Sequence, residues 1–374
     1  MTEAQEGKMI REELAMWNVG TNLDQLMNLD PRGYGVCRIL YDGSRAYAGE
    51  PVAMHSAKAL TKLLCSGDIV YIMTGFILRP HKCPETDGIV GAILLARALI
   101  KAFDVKPIII CPEENKVAVK NCAPLVGMHL YEEIPMALEM PQSIGVFPFT
   151  KNSAEVRGLV KELFSYGEPK VLISTEAPGA NEKGEYHNAT GLNMTELEAK
   201  MDGLFDAVKE KKIPTFAIGD LGNEIGMGAI GPHIIRYIPY AGKGKCNCEC
   251  KGGILARTSA DYLITATVSD WGVYALICAI AYLKKDIGIM HDEDMEERVL
   301  RECARSGMVD MTGSLLPGID GFDVSMNCRI VSMMRETTAY AIGYDVQKWF
   351  DVTLEKGFFE EREKEVAVWK KSAS

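Results

Sequence analysis

Apolar residues in this chain come in short blocks that stop abruptly at polar or glycine-rich turns. Residues 68–74 run into Gly75, 106–111 into Pro112, 170–175 into Glu176, 214–218 into Gly219-Asp220, and 261–268 into Ser269-Asp270. A weaker block of the same kind covers 144–149. None alternates strictly between apolar and polar positions, so each reads as a strand buried on both faces. Helical stretches lie between them, at 87–103, 195–211 and 272–284. Strands alternating with helices of this length predict an α/β fold, a mostly parallel, doubly wound sheet flanked by helices. No internal repeat or low-complexity linker interrupts the pattern. The flanks differ from the centre. Residues 1–62 read as a helical N-terminal flank around the turn Asp30-Pro-Arg-Gly-Tyr-Gly35, 63–330 as the α/β core, and 331–374 as a helical, charged C-terminal extension. Both flanks are expected to pack on the sheet and cover its site.

Composition narrows the function classes. Of 374 residues, 47% are apolar and 25% charged, which is ordinary for a globular chain and argues against disorder. The 41 basic and 51 acidic residues give a net charge of −10, which disfavours a nucleic-acid partner. The longest apolar stretches, 88–100 and 273–283, are too short to span a bilayer, and the acidic start of the chain lacks the apolar segment of a signal peptide. The 11 cysteines are odd in number and mostly scattered. Cys65, Cys111 and Cys278 read as small buried hydrophobes, and a reducing, cytoplasmic location is expected. Nothing here fixes the oligomeric state, and a homo-oligomer stays open.

In open α/β sheets, ligands bind outside the carboxyl ends of the strands, where these polar turns sit. Four turns carry unusual combinations. Thr74-Gly75 leads to Glu85-Thr86-Asp87-Gly88, where Thr86 reads as the N-cap of the following helix and its free amides as an anion site. Gly219-Asp220-Leu221-Gly222-Asn223-Glu224 places three polar groups among glycines that allow close backbone approach. It matches neither a Walker A loop nor the dinucleotide fingerprint. Glu176 follows a buried strand, with His187 read as a loop residue soon after. Ser269-Asp270-Trp271 opens an apolar helix, Ser269 as its cap and Trp271 as a pocket wall. The run Cys246-Asn-Cys248-Glu-Cys250 lacks the paired spacing of common zinc sites, so its thiols rank behind the acids as metal candidates.

The chain resembles the glutamate cyclase-like family through Thr74-Gly-Phe76, Pro84-Glu-Thr-Asp-Gly88, the run from Gly219 to Gly228, Ala260-Asp-Tyr-Leu-Ile264, Val268-Ser-Asp-Trp-Gly272 and Val309-Asp310. The family pattern has Asn where Asp270 stands and two glycines where Leu221-Gly222 stands. The hydro-lyase-like domain of animal members has no counterpart in this sequence. The resemblance implies a lyase that cyclises D-glutamate to 5-oxo-D-proline with loss of water. Asp220 and Glu224 are the leading acid–base pair and Glu85 with Asp87 the alternative. Thr74, Gly75, Thr86, Gly88, Glu176, Asn223, Ser269 and Trp271 are expected to bind a small amino or carboxylic acid, its α-carboxylate resting on the amides of 86–88. Asp87, Glu176, Asp220 and Glu224 are alternatively ligands of Mg2+ or Mn2+. Asp220→Asn and Glu224→Gln are both expected to leave stability near wild type. The rival readings are a different lyase or hydrolase of a small acid, and a phosphate- or nucleotide-binding module.

Overall fold

The computed structural model describes residues 11–79 and 81–343. The end of the C-terminal extension, including the charged run 360–371, lies outside the described residues. Seven strands form one fully parallel sheet: β1 (Ile69–Thr74), β2 (Lys106–Pro112), β3 (His129–Tyr131), β4 (Ser143–Phe149), β5 (Val171–Thr175), β6 (Thr215–Gly219) and β7 (Tyr262–Thr265), in the order β3-β4-β2-β1-β5-β6-β7. From β1 the chain lays down β2 beside it, β3 at the far edge and β4 between those two, then returns to lay β5 on the other side of β1. The switch point therefore lies between β1 and β5, where the register pairs Thr74 with Thr175.

Alternate residues of each strand feed two cores. Val70, Ile72, Ile109 and Ile173 face one cluster and Tyr71, Met73, Ile108 and Leu172 the other. This explains why the strand blocks are apolar throughout: both faces are covered by helices, and burying each such side chain contributes about 1.5–3 kcal/mol. The central helix Ser269–Lys284 is buried on all sides for most of its length, packed against helices Arg11–Met27, Val52–Leu63, Ile89–Phe103 and Val324–Gly343. Gly272 lets it approach the sheet, since a Cβ there would lie 2.8 Å from Ile218 Cγ2. That approach brings the helix N-terminus to the strand ends.

Five of the six expected strands match within about two residues; the fifth block ends at Thr265 rather than 268. Strand β3 was not foreseen. The helix expected over 195–211 begins only at Asp202, because 195–201 is held as a loop: the Glu198 carboxylate accepts from Ile77 N and Lys200 Nζ donates to Thr195 O and Glu198 O. Cys111 and Cys278 are buried as expected, but Cys65 is exposed in the turn before β1. Among the described residues no helix is long and apolar enough to cross a membrane. Among the described residues, helices Arg11–Met27, Val52–Leu63 and Val324–Gly343 pack on the central helix, and Arg32 of the N-terminal flank reaches the carboxyl edge, donating to Thr267 O.

Candidate active site

Carboxyl groups converge at the switch point. Asp87, Glu176 and Asp220 each offer an oxygen within 4.8 Å of the others, and none is more than 7% exposed. Glu85, Glu224, Asp310 and Asp320 are buried in the same patch. Burial is the main cause that pushes the Glu85, Glu176 and Asp220 carboxyls well above the usual carboxylate range, and their negative neighbours add to it. Asp87 is pushed up to about 7 by burial and by Asp320, against the pull of three backbone N–H groups.

The turns hold these acids in specific ways. Glu176 has φ +43°, a left-handed conformation rare outside glycine, and its Oε2 accepts from Ser269 Oγ at 2.6 Å. Glu224 folds its carboxylate back on its own turn. Oε1 accepts from Asp220 N (2.9 Å) and Leu221 N (2.8 Å), and Oε2 from Gly222 N (2.7 Å). Gly222 supplies the positive φ, +94°, that this turn needs. Asn223 donates from Nδ2 to His187 O, while its buried Oδ1 has no partner among the described residues.

Two helix N-termini cap each other across the site. Asp87 accepts from Ser269 N (3.1 Å) and Asp270 N (2.9 Å) at the start of helix Ser269–Lys284. Asp270 Oδ1 in turn accepts from Gly88 N and Gly91 N, both at 2.9 Å, at the start of helix Ile89–Phe103. Thr86 is therefore not a cap: its N–H and hydroxyl both donate to Val309 O, and Gly88 occupies the N-cap position. The amides of Thr86 and Gly88 are also not free for an anion, because Val309 O takes the first and the Asp87 and Asp270 carboxylates the second. Ser269 spends its hydroxyl on Glu176, and Val268 is the N-cap residue. Trp271 lies in the core, its ring stacked on Phe322 and its Nε1 donating to Asn327 Oδ1.

Thr74 and Gly75 sit at the end of β1. A Cβ on Gly88 would lie 2.7 Å from Thr74 Oγ1 and 2.6 Å from Glu176 Cβ, so only glycine fits between β1 and β5 there. Arg32 of the N-terminal flank and Asp320 near the end of the α/β core, neither of them a candidate in the sequence, also reach this patch. Arg32 donates to Asp320 Oδ2 (2.8 Å) and to Thr267 O (2.9 Å), lies within electrostatic reach of Asp220, and keeps a buried Nε without a partner among the described residues. Asp310 and Asp320 come from the loop ahead of helix Val324–Gly343. A lone arginine in a Gly/Pro turn and a lone loop aspartate, Asp320, give no local signal, whereas Asp310 lies in the Val309-Asp310 stretch of the resemblance. The open groove of about 620 Å3 between helices Glu293–Arg305 and Val324–Gly343 shares no residue with the cleft.

A second cluster adds a ligand to the cysteine run that the sequence ranked behind the acids. His187 and Cys246, Cys248 and Cys250 bring four ligand atoms within 4.8 Å of one another. The fourth partner comes from a different loop, which the spacing of the cysteines could not reveal.

The pattern of the family described as D-glutamate cyclase-like, C-terminal, matches residues 23–335. The chain belongs to this family. It is similar to human mitochondrial D-glutamate cyclase, 26% identical over 333 residues that cover 79% of this chain and 48% of that protein. The chain thus spans about half the length of that relative. The family match, over 23–335, takes in Arg32, the acid cluster, Asp310 and Asp320. Where the D-glutamate cyclase-like pattern has Asn, Asp270 is buried with its pKa raised well above normal, chiefly by desolvation and by Asp87. A protonated Asp270 is close to isosteric with Asn, so this departure preserves the capping geometry.

Proposed function

We propose that this D-glutamate cyclase-like chain converts D-glutamate to 5-oxo-D-proline with loss of water, through the carboxyls of Asp87, Glu176 and Asp220. The observation that carries this reading is the meeting of three buried carboxyls at the sheet's switch point, each pushed upward in pKa. Such a cluster holds protonated and ionised groups together near neutral pH. In the reaction the α-nitrogen bonds to Cδ, and a C–O bond of the γ-carboxyl breaks to release water. Ionised members of the cluster take two protons from the α-ammonium, one before attack and one from the nitrogen once it is bonded to Cδ, and protonated members deliver two to the γ-carboxylate, one as it is attacked and one as its hydroxyl departs as water. Each transfer contributes about 10²–10⁴-fold. A substrate held curled against this cluster brings N and Cδ together.

The buried Nε of Arg32 supports binding of the substrate's α-carboxylate there, rather than on the occupied amides of Thr86 and Gly88. Glu224, with both oxygens committed to backbone amides, acts as a positioning residue for the turn that carries Asp220. Glu85 extends the acid surface. The three clustered carboxylates form a hard-oxygen donor set that fits Mg2+ or Mn2+, which when bound would polarise the γ-carboxyl.

The nucleotide-module reading is disfavoured because Asp87 and Asp270 already occupy the helix N-termini a phosphate would need. A lyase or hydrolase acting on another small acid fits the same cleft and is the second reading, since the identity to the named cyclase is modest. The cytoplasm remains the proposed compartment, although the human relative is named mitochondrial. A panel of D- and L-amino dicarboxylic acids incubated with purified protein, read by mass spectrometry, tests the proposal. D-glutamate should give the dehydrated lactam. Turnover of a different acid, with D-glutamate untouched, supports the second reading instead.

A further inference from the structure

The cysteine run and His187 lie outside the acid cleft and take no part in the chemistry above. Turns within 240–253 fold the three thiols onto one another. Cys246 and Cys248 Sγ are 3.6 Å apart, Cys246 and Cys250 3.7 Å, and Cys248 and Cys250 3.2 Å. From the loop after β5, His187 Nε2 reaches 3.2 Å from Cys248 Sγ and 3.4 Å from Cys250 Sγ. A zinc ion bonds sulfur at about 2.3 Å and imidazole nitrogen at about 2.0–2.1 Å; the edges of that tetrahedron are roughly 3.8 Å for S···S and 3.5 Å for S···N. The observed separations fall within a few tenths of an ångström of those edges for most pairs. They are far longer than the roughly 2.05 Å of a disulfide.

The surroundings suit thiolates. Gly252 N points at Cys250 Sγ (3.3 Å), Gly253 N at Cys246 Sγ (3.4 Å) and Asn181 Nδ2 at Cys250 Sγ (3.7 Å). Such outer N–H donors orient metal-bound sulfur and spread its charge. Lys245 and Lys251 flank the run in sequence, Glu249 lies within it, and Lys243 is paired with Glu182 at 2.8 Å. Gly253 has φ +81°, and a Cβ there would lie 2.1 Å from Ala241 O, so the loop's fold around the thiols depends on that glycine.

We propose that His187, Cys246, Cys248 and Cys250 form a closed Cys3His zinc site with a structural role. All four positions come from protein, which leaves no open position for substrate. The site ties the loop after β5 to the loop at 240–253, a junction also made by Asn247 N to Gly191 O and Asn181 Nδ2 to Gly253 O. Because Asn223 donates to His187 O, the zinc also steadies the turn that carries Asp220.

Element analysis of the full chain, purified under reducing conditions without chelator, should find about one zinc per chain. The Cys246→Ser/Cys248→Ser/Cys250→Ser variant should lose it, whereas Asp220→Asn should retain it, which separates this site from the acid cleft. Exchange of wild-type protein with Co2+ should give the strong visible bands of tetrahedral cobalt with thiolate charge transfer. That readout needs no variant to fold. His187→Cys should keep the metal and shift those bands toward those of a four-thiolate site. The proposal is overturned by protein that stays metal-free after zinc addition, by zinc that survives the triple substitution, by octahedral cobalt spectra, or by a 2 Da mass loss showing a disulfide within the run.

Discussion

Glu224→Gln changes one oxygen to an NH2 group, yet it should cost the fold measurable stability. The wild-type carboxylate accepts three backbone N–H bonds, at 2.9, 2.8 and 2.7 Å, from Asp220, Leu221 and Gly222. A glutamine has one acceptor oxygen. If that oxygen stays with Asp220 and Leu221, the amide nitrogen faces Gly222 N–H, donor against donor; the flipped amide strands two N–H groups instead. Hydrogen bonds to charged groups contribute about 1.5–3 kcal/mol each, and a stranded buried N–H costs about as much as the bond it lost. The expected loss is about 2–4 kcal/mol. Asp220→Asn is expected to behave oppositely. Its carboxyl is costly to ionise where it sits, so the neutral amide should be neutral or stabilising at pH 8. Urea unfolding of wild type and both variants, compared at a common slope, measures the difference. The sequence alone suggests that both substitutions are benign; the structure predicts that only Asp220→Asn is. A Glu224→Gln midpoint within about 0.5 kcal/mol of wild type, or an equal loss in Asp220→Asn, would refute the account of this turn.

Two further outcomes follow from the buried acids. Asp24 is pushed up to about 6 and Asp87 to about 7, in both cases mainly by burial, so the folded state holds protons that the unfolded chain releases near pH 4. Their stabilising contribution is complete below the unfolded pKa and fades as pH rises through 6 and 7. Each group loses about 1.4 kcal/mol of that contribution per pH unit until its folded pKa is passed, so without added Mg2+ or Mn2+ stability should fall by roughly 3–4 kcal/mol from pH 5 to pH 8. Thermal melts that instead climb across this range would contradict it. Asp270→Asn should keep the caps on Gly88 and Gly91 and preserve both fold and turnover. Gly91→Ala would push a Cβ to 2.3 Å from Asp270 Oδ1 and should destabilise by several kcal/mol in the same urea assay, and equal behaviour of the two variants would undo the reciprocal-cap argument.

The sheet was legible because strands sandwiched between two helical layers must be apolar on both faces, and such blocks stand out against the polar turns that end them. Strand β3 was not legible, since three residues, one of them the exposed His129, make no apolar block. The acid-bearing turns were legible for the same reason as the strands. What each acid does there was not. Thr86 reads locally as a cap, but a carboxylate 182 positions away from Gly88 takes that role, and Thr86 turns to a carbonyl 223 positions distant. Arg32 and Asp320 meet across 288 positions and leave no pattern in either neighbourhood. His187 likewise joins the cysteines only through the fold, so the run Cys246 to Cys250 looked one ligand short.

The central claim is that Asp87, Glu176 and Asp220 carry out the cyclisation. It is tested most directly by D-glutamate turnover of wild type, Asp87→Asn, Glu176→Gln and Asp220→Asn side by side, with 5-oxoproline quantified by mass spectrometry. Mg2+ or Mn2+ is titrated in each case. The account predicts lactam formation by the wild type and a loss of about 10²-fold or more in at least two of the variants, the scale of a lost acid or base. Their circular dichroism spectra should stay near wild type. Urea midpoints should hold or rise in Glu176→Gln and Asp220→Asn and fall in Asp87→Asn, whose single amide oxygen leaves unpaired at least one of the N–H groups of Gly88, Ser269 and Asp270 that Asp87 now accepts from. Wild-type turnover of D-glutamate that all three variants match would place the chemistry outside this cleft and contradict the account.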